Sequence, residues 1–169
     1  MLNVRLYRLR YLFALGAFVC FFSMLFSGCS DNSDEYVAKL PVFSDVKFSP
    51  EVITSGSQIT ATAVRNYKGK YLYDATYSWE LSTSDTIGQT QNYTKVVDPV
   101  KEKEDPTFTF IAPSTSGQYT LTLKINYKVS GSGRVQSSSS YDIKHGTVSG
   151  FLSALYGSQT ITKTFSVSK

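Results

Sequence analysis

An all-β chain folded as a two-sheet sandwich is what this sequence predicts, and three observations carry the prediction. From about Val42 onward the apolar residues recur every second position, the period of a strand and not of a helix. Threonine and tyrosine, which suit a pleated surface, fill many of the alternate places. Turn signals rich in Ser, Gly and Pro interrupt the pattern at short intervals.

The N-terminus comes first. Arg5, Arg8 and Arg10 lie in the first ten residues without an acidic residue, and Tyr11 to Phe26 reads YLFALGAFVCFFSMLF, sixteen residues with no charge. A basic start, an apolar run of this length and small residues behind it form an export signal. An uncleaved anchor is the alternative, but the run is short of the roughly 20 residues that cross a bilayer core. Leu25-Phe26-Ser27-Gly28-Cys29 follows and resembles the lipobox of bacterial lipoproteins. Ser27 and Gly28 are small enough to enter a peptidase groove, and the Cys29 thiol is the nucleophile that accepts the diacylglycerol. Phe26 stands where the family usually carries an aliphatic residue, with Leu25 one place further out. The resemblance implies that residues 1–28 are a lipoprotein signal peptide and that Cys29 is the lipid-attachment site. Each buried methylene of an acyl chain is worth about 0.8 kcal/mol, so two or three chains moor a protein almost permanently.

Removing residues 1–28 from 169 leaves 141 and changes what the composition means. The net charge of +4 includes the three signal arginines, and the remainder holds 14 Lys and Arg against 13 Asp and Glu. A near-neutral chain gives no electrostatic footprint for nucleic acid. Cys20 leaves with the signal and Cys29 is acylated, so no disulfide can form within one mature chain and packing must hold the fold. Ser30-Asp31-Asn32-Ser33-Asp34-Glu35 resembles the acidic export tag of Bacteroidetes-type surface lipoproteins. That resemblance implies a lipid-anchored place in the outer membrane, at the cell surface, with the periplasmic face as the alternative. The same composition suits any solvated linker. Residues 29–41 are read as a flexible tether, whose ten or so residues hold the domain roughly 17 Å from the lipid.

Residues 42–169 supply the strands. Ile59, Ala61 and Ala63 alternate with Thr60, Thr62 and Val64, and Tyr77, Trp79 and Leu81 with Ser78 and Glu80. Phe108 and Phe110 flank Thr109. Tyr119, Leu121, Leu123, Ile125 and Tyr127 form the longest alternating run, and Ile161, Phe165 and Val167 share a face that Lys163 interrupts. Ser49-Pro50, Thr54-Ser55-Gly56, Pro113 to Gly117 and Ser130 to Gly133 mark turns. Phe151 to Tyr156 is the one short helix candidate. Seven or so strands over about 130 residues point to two packed sheets in a single domain.

Two local features make the sandwich immunoglobulin-like by resemblance. In "GQYTLTL", Gly117 to Leu123, a tyrosine opening a strand after a glycine turn resembles the tyrosine corner, whose hydroxyl bonds to upstream backbone. Trp79 in "YSWEL" stands where such domains place a core tryptophan; with no disulfide to lie against, its expected neighbours are Ala61, Ala63 and Leu121. The polycystic-kidney-disease type of module is similar too, although the glycines and the aspartate that follow its tryptophan are missing from "YSWELSTSD".

Chemistry finds little purchase. His145 in "IKHGT" is the only histidine, with Asp142 three residues before it. A hydrolytic triad needs serine, histidine and carboxylate in mutual contact, and His145 reads instead as a solvated loop residue. One histidine and no available thiol cannot assemble a zinc site. Asp98, Glu102, Glu104 and Asp105 offer oxygens for calcium, but the interleaved Lys101 and Lys103 mark a solvated mixed-charge face. Ser166 to Lys169 matches Ser-x-x-Lys in letters alone, at a strand end and not at a helix start. No catalytic residue, metal or cofactor is expected, and the chain is not read as an enzyme.

Binding has more to work with. "NYKGKYLYD", Asn66 to Asp74, joins two strands and holds Tyr67, Tyr71 and Tyr73 with Lys68 and Lys70 around Gly69. In an immunoglobulin-like sandwich this connection emerges at the same end as the one that follows the tyrosine-corner strand. That second connection, within Lys128 to Gln159, is long and includes Tyr141, Phe151, Leu155 and Tyr156. Tyr67, Tyr71, Tyr73 and Tyr156 are therefore a candidate binding apex, able to stack on sugar rings or anchor a protein. The plainer alternative is that these rings cap the core or belong to an extra hairpin. Asp85-Thr86-Ile87 resembles a bacterial O-glycosylation signal, with Thr86 as acceptor. The expectation is an outer-membrane lipoprotein whose module binds a glycan or a surface protein, in glycan capture or cell-surface assembly. The alternative is a structural spacer without a ligand, recruited to a larger complex through an exposed strand edge.

Overall fold

The computed structural model describes residues 37–82, 90–93 (backbone only), 101, 105–130 and 136–169. Nine strands and no helix form among them: β1 Val42–Ser49, β2 Gln58–Tyr67, β3 Leu72–Ser82, β4 Thr90–Tyr93, β5 Thr107–Ile111, β6 Gly117–Val129, β7 Ser137–Ile143, β8 Gly146–Leu152 and β9 Tyr156–Val167. They make a small antiparallel sheet, ordered β1-β2-β5, and a large one, ordered β4-β3-β6-β9-β8-β7. The expected two-sheet sandwich is what forms. The order β1-β2-β5 against β4-β3-β6-β9 is compatible with an immunoglobulin-like domain.

The region expected to be a long loop is mostly strand. β7 and β8 pair without a register shift and extend the large sheet beyond β9. Phe151 to Tyr156 is likewise no helix: β8 ends at Leu152 and β9 begins at Tyr156. Between them Ser153 closes a tight turn. Its N–H donates to the Tyr156 carbonyl (2.8 Å), and its hydroxyl oxygen accepts from the N–H groups of Leu155 (3.3 Å) and Tyr156 (3.2 Å).

Alternation decides what is buried. Ile59, Ala61 and Ala63 of β2 face Trp79 and Leu81 of β3, Leu121, Leu123 and Ile125 of β6, and Ile161 of β9 in one core. An aromatic path crosses it. Trp79 stacks on Phe108 (centroids 5.7 Å, 12°), Phe108 on Phe110 (5.4 Å), and Phe110 tilts against Phe165 (6.0 Å), which also meets Tyr119 and Phe48. Each such pair contributes about 0.5–1.5 kcal/mol beyond the area it buries. Phe108, from the opposite sheet, is thus the ring on which the tryptophan lies. The tyrosine corner is present as expected: the Tyr119 hydroxyl donates to the Thr115 carbonyl at 2.7 Å.

Polar contacts seam the two sheets along β1, an edge strand of the small sheet. Gln159 of β9 donates to the Pro41 carbonyl (2.9 Å), and the Tyr141 hydroxyl of β7 accepts from the Phe43 N–H (2.8 Å). Lys163 of β9 pairs with the Asp45 carboxylate and also donates to the Lys144 carbonyl (2.6 Å). The lysine that interrupts the apolar face of β9 is therefore buried with a partner and not turned to water. Asp105, weighed above as a calcium ligand, instead pairs with the buried guanidinium of Arg65 at 3.1 Å. Asp98, Glu102 and Glu104 lie outside the described residues.

Residues 37–41, at the end of the stretch read as tether, pack onto the domain. Ala38 is buried, and Lys39 and Lys70 exchange two backbone hydrogen bonds of 3.0 Å. Gly69 permits the approach: its φ is +85°, and a Cβ there would stand 2.8 Å from the Lys39 carbonyl oxygen.

Lys163→Met leaves the half-buried Asp45 carboxylate without its cation and should cost about 2–3 kcal/mol in urea unfolding. Adding Asp45→Leu should recover most of that loss; no recovery would mean the pair does not act as a unit. A second expectation concerns alkali. Burial pushes the Tyr127 phenol well above its ordinary 10.0, with Tyr77 and Tyr141 adding to the rise and Arg65 opposing it. The phenol therefore stays neutral in the fold and ionises in the open chain, so its contribution is full below about pH 10 and declines as pH rises beyond that. Tyr127→Phe should flatten this decline, read as urea midpoints across pH 8 to 11, while losing about 1 kcal/mol at neutral pH with the 3.1 Å bond to Gln159.

Candidate functional site

β3, β6 and β9 lie side by side in the large sheet, and their register brings two of the four expected tyrosines into one row. Tyr73 pairs with Lys128, and Lys128 with Tyr156, so the three side chains rise from the same outward face. Tyr73 is 40 % exposed and Tyr156 54 %. The row thus offers two aromatic faces with an ammonium between them.

Local backbone fixes each member. The β3–β6 ladder shifts register between Tyr73 and Thr76, and Asp74 there takes a left-handed φ of 50°. This brings its carboxylate to the Lys128 ammonium at 2.8 Å. The hydrogen bond that Lys128 donates to the Asp74 carboxylate, reinforced by the carboxylate's charge, raises the Lys128 pKa, so the amine stays charged and aimed. Tyr156 follows the Ser153 turn and packs its ring against Phe151 (6.0 Å). The end of β6 ties the two sides together: the Val129 N–H donates to the Leu155 carbonyl (3.1 Å) and the Ser130 N–H to the Tyr71 carbonyl (2.8 Å).

Tyr71 and Tyr67 stand apart from this row. Tyr71 has a φ of 55°, packs partly on the core and carries the Lys70 ammonium 4.8 Å above its ring. Tyr67 closes β2 opposite Val42 of β1, in the small sheet. Tyr141, expected among the exposed aromatics, reaches instead to β1. Cys29 and Thr86 lie outside the described residues. Lys128 and Asp74 are the members that sequence reasoning missed. Lys128 was visible as an outward position of β6, but only the register sets it between two tyrosines.

The row can stack on a flat apolar surface from two sides while offering a donor at Lys128 and an acceptor at Asp74. Those are the contacts a sugar ring takes: C–H faces to aromatics, hydroxyls to charged groups. Among the described residues no cluster of His, Cys, Asp or Glu could hold a metal ion.

A second opening lies at the other end of the sandwich, an open groove of about 540 Å³ between β1 and β9. Val46, Phe48, Ile53 and Phe165 line it together with Lys47, Glu51, Lys144 and His145. His145 is exposed on the β7–β8 turn with a φ of 59°, and its carbonyl accepts from the Thr164 N–H (2.9 Å). Ser166 and Asp45 share the groove, but among the described residues no hydrogen bond joins either to His145, and the Asp45 carboxylate is taken by Lys163. The groove's charges are of mixed sign, and its buried cation is already neutralised. The tyrosine–lysine row is the better formed of the two sites. Comparison with known proteins finds no family model, no curated protein and no solved structure that this chain matches.

Proposed function

We propose that this protein is an outer-membrane lipoprotein, anchored through Cys29, whose immunoglobulin-like domain is a binding or accessory module for glycan capture or cell-surface assembly. The observation that carries the reading is the row Tyr73–Lys128–Tyr156: exposed rings fixed in register on rigid strands, with a charged pair between them. Aromatics that only covered the core would be buried. These are held outward by a register shift on one side and a serine-locked turn on the other.

The mechanism is recognition without chemistry. A pyranose or a flat side chain settles across Tyr73 and Tyr156, and its polar groups meet the Lys128 ammonium and the Asp74 carboxylate. Because strands and not loops present the rings, little conformational entropy is lost on binding. Acylation at Cys29 supports the reading by holding the module in the layer where surface glycans and partner proteins are dense.

Tyr73→Ala together with Tyr156→Ala should weaken binding at least about tenfold, on a glycan array or in a crosslinked pull-down from intact cells. The thermal midpoint should stay nearly unchanged, because both rings are half-exposed. A large fall in stability would show the rings to be structural. Unchanged capture by the double variant in the pull-down, with no glycan bound, would favour a spacer recruited through a strand edge.

A further inference from the structure

The end of the sandwich where the chain comes in is also where its exposed apolar surface collects. Val42 begins β1, Tyr67 ends β2, Leu155 lies in the turn before β9 and Tyr156 opens that strand, all at the end that carries the Lys39–Lys70 clasp. Of seven large hydrophobic side chains exposed among the described residues, five stand at this end: Val42, Tyr67, Tyr73, Leu155 and Tyr156. Leu155, at the tip of its turn, is 79 % exposed. Lys39 and Lys70 share the end, and its described carboxylates, Asp74 and Asp105, are held by Lys128 and Arg65. The surface is apolar and aromatic at its centre and positive around it.

Chain length says what covers it. Val37 lies eight chain steps on from Cys29, a reach of no more than about 29 Å when fully extended. The thirteen residues of β6 run for about 44 Å along the sandwich. With lipid at Cys29, the chain brings the aromatic end in first, and the domain cannot stand inverted with only its far end on the same membrane. Tyrosine, leucine and lysine together suit the headgroup layer, where rings and aliphatic tips sink while ammonium groups reach phosphates.

We propose that this end of the sandwich, with Val42, Tyr67, Leu155, Lys39 and Lys70, rests on the anionic headgroup layer of the membrane to which Cys29 moors the chain. The proposal depends on that mooring. It gives the domain a fixed attitude: the Tyr73–Lys128–Tyr156 row, on the flank of the large sheet, stands just above the lipid and faces sideways. Its ligand is then one carried by the same membrane.

The test uses the full-length lipidated protein in vesicles containing phosphatidylglycerol with brominated acyl chains. An environment-sensitive fluorophore is placed at Leu155→Cys or Tyr67→Cys, and at Ser114→Cys on the opposite end as reference. Emission at the first two positions should shift to the blue and be quenched, and that at Ser114 should not. Lys39→Gln and Lys70→Gln should each lower the docked fraction about fivefold, and phosphatidylcholine alone should do the same. Equal, water-like emission at all three positions overturns the proposal. That result is expected if the acidic residues Asp31, Asp34 and Glu35, and not lipid, occupy the lysines. The mass of the Cys29 peptide separates this outcome from a failed anchor, since an unacylated cysteine removes the mooring and the docking together.

Discussion

The sandwich depends on how β1 is fastened. An immunoglobulin-like domain with a disulfide has a covalent link between its sheets; residues 37–169 contain no cysteine, so this domain has none. Gln159, Tyr141 and Lys163 instead reach across from the large sheet to Pro41, Phe43 and Asp45. The grip falls on the entry to β1 and on its irregular first half, where the pairing with β2 shifts register between Val42 and Asp45. The aromatic path from Trp79 to Phe165 joins the sheets through the core, and the seam joins them along one edge. The sites at both ends inherit their rigidity from these two connections.

How much of this was legible depends on the range of the interaction. The tyrosine corner spans four residues, so "GQY" before an alternating run was enough to place Tyr119. The long strands were legible because the opposite sheet buries one of their faces and imposes alternation. β7 lies at the outer edge of the large sheet, and Ser137 to Ser140 are exposed on both faces. No period of two can form in such a strand, which is why a serine-rich hairpin resembles a loop. Trp79 was placed correctly, but its stacking partner Phe108 follows from the pairing of β5 with β2, which no local pattern encodes. Lys163 was visible as an interruption, while Asp45, which makes sense of it, is 118 residues away.

The candidate site shows the same division. Its tyrosines could be counted from the sequence, but which of them act together could not. Four rings in neighbouring connections become two in a row, one leaning on the core and one on the other sheet. The lysine and aspartate that complete the row come from a cross-strand pairing and a register shift. The N-terminal clasp adds what composition could not: residues 37–41 belong to the folded body.

The seam also governs the order of assembly. Its contacts close loops of 98 to 118 residues, among the longest in the chain, so they can form only after the strands between them are in place. During synthesis β1 emerges early, and the lysine and glutamine that fasten it emerge near the end. For that interval the edge of β1 is open and Asp45 has no cation. The first strand to appear is the last to be secured, although it brings Phe43 and Val46 to the core.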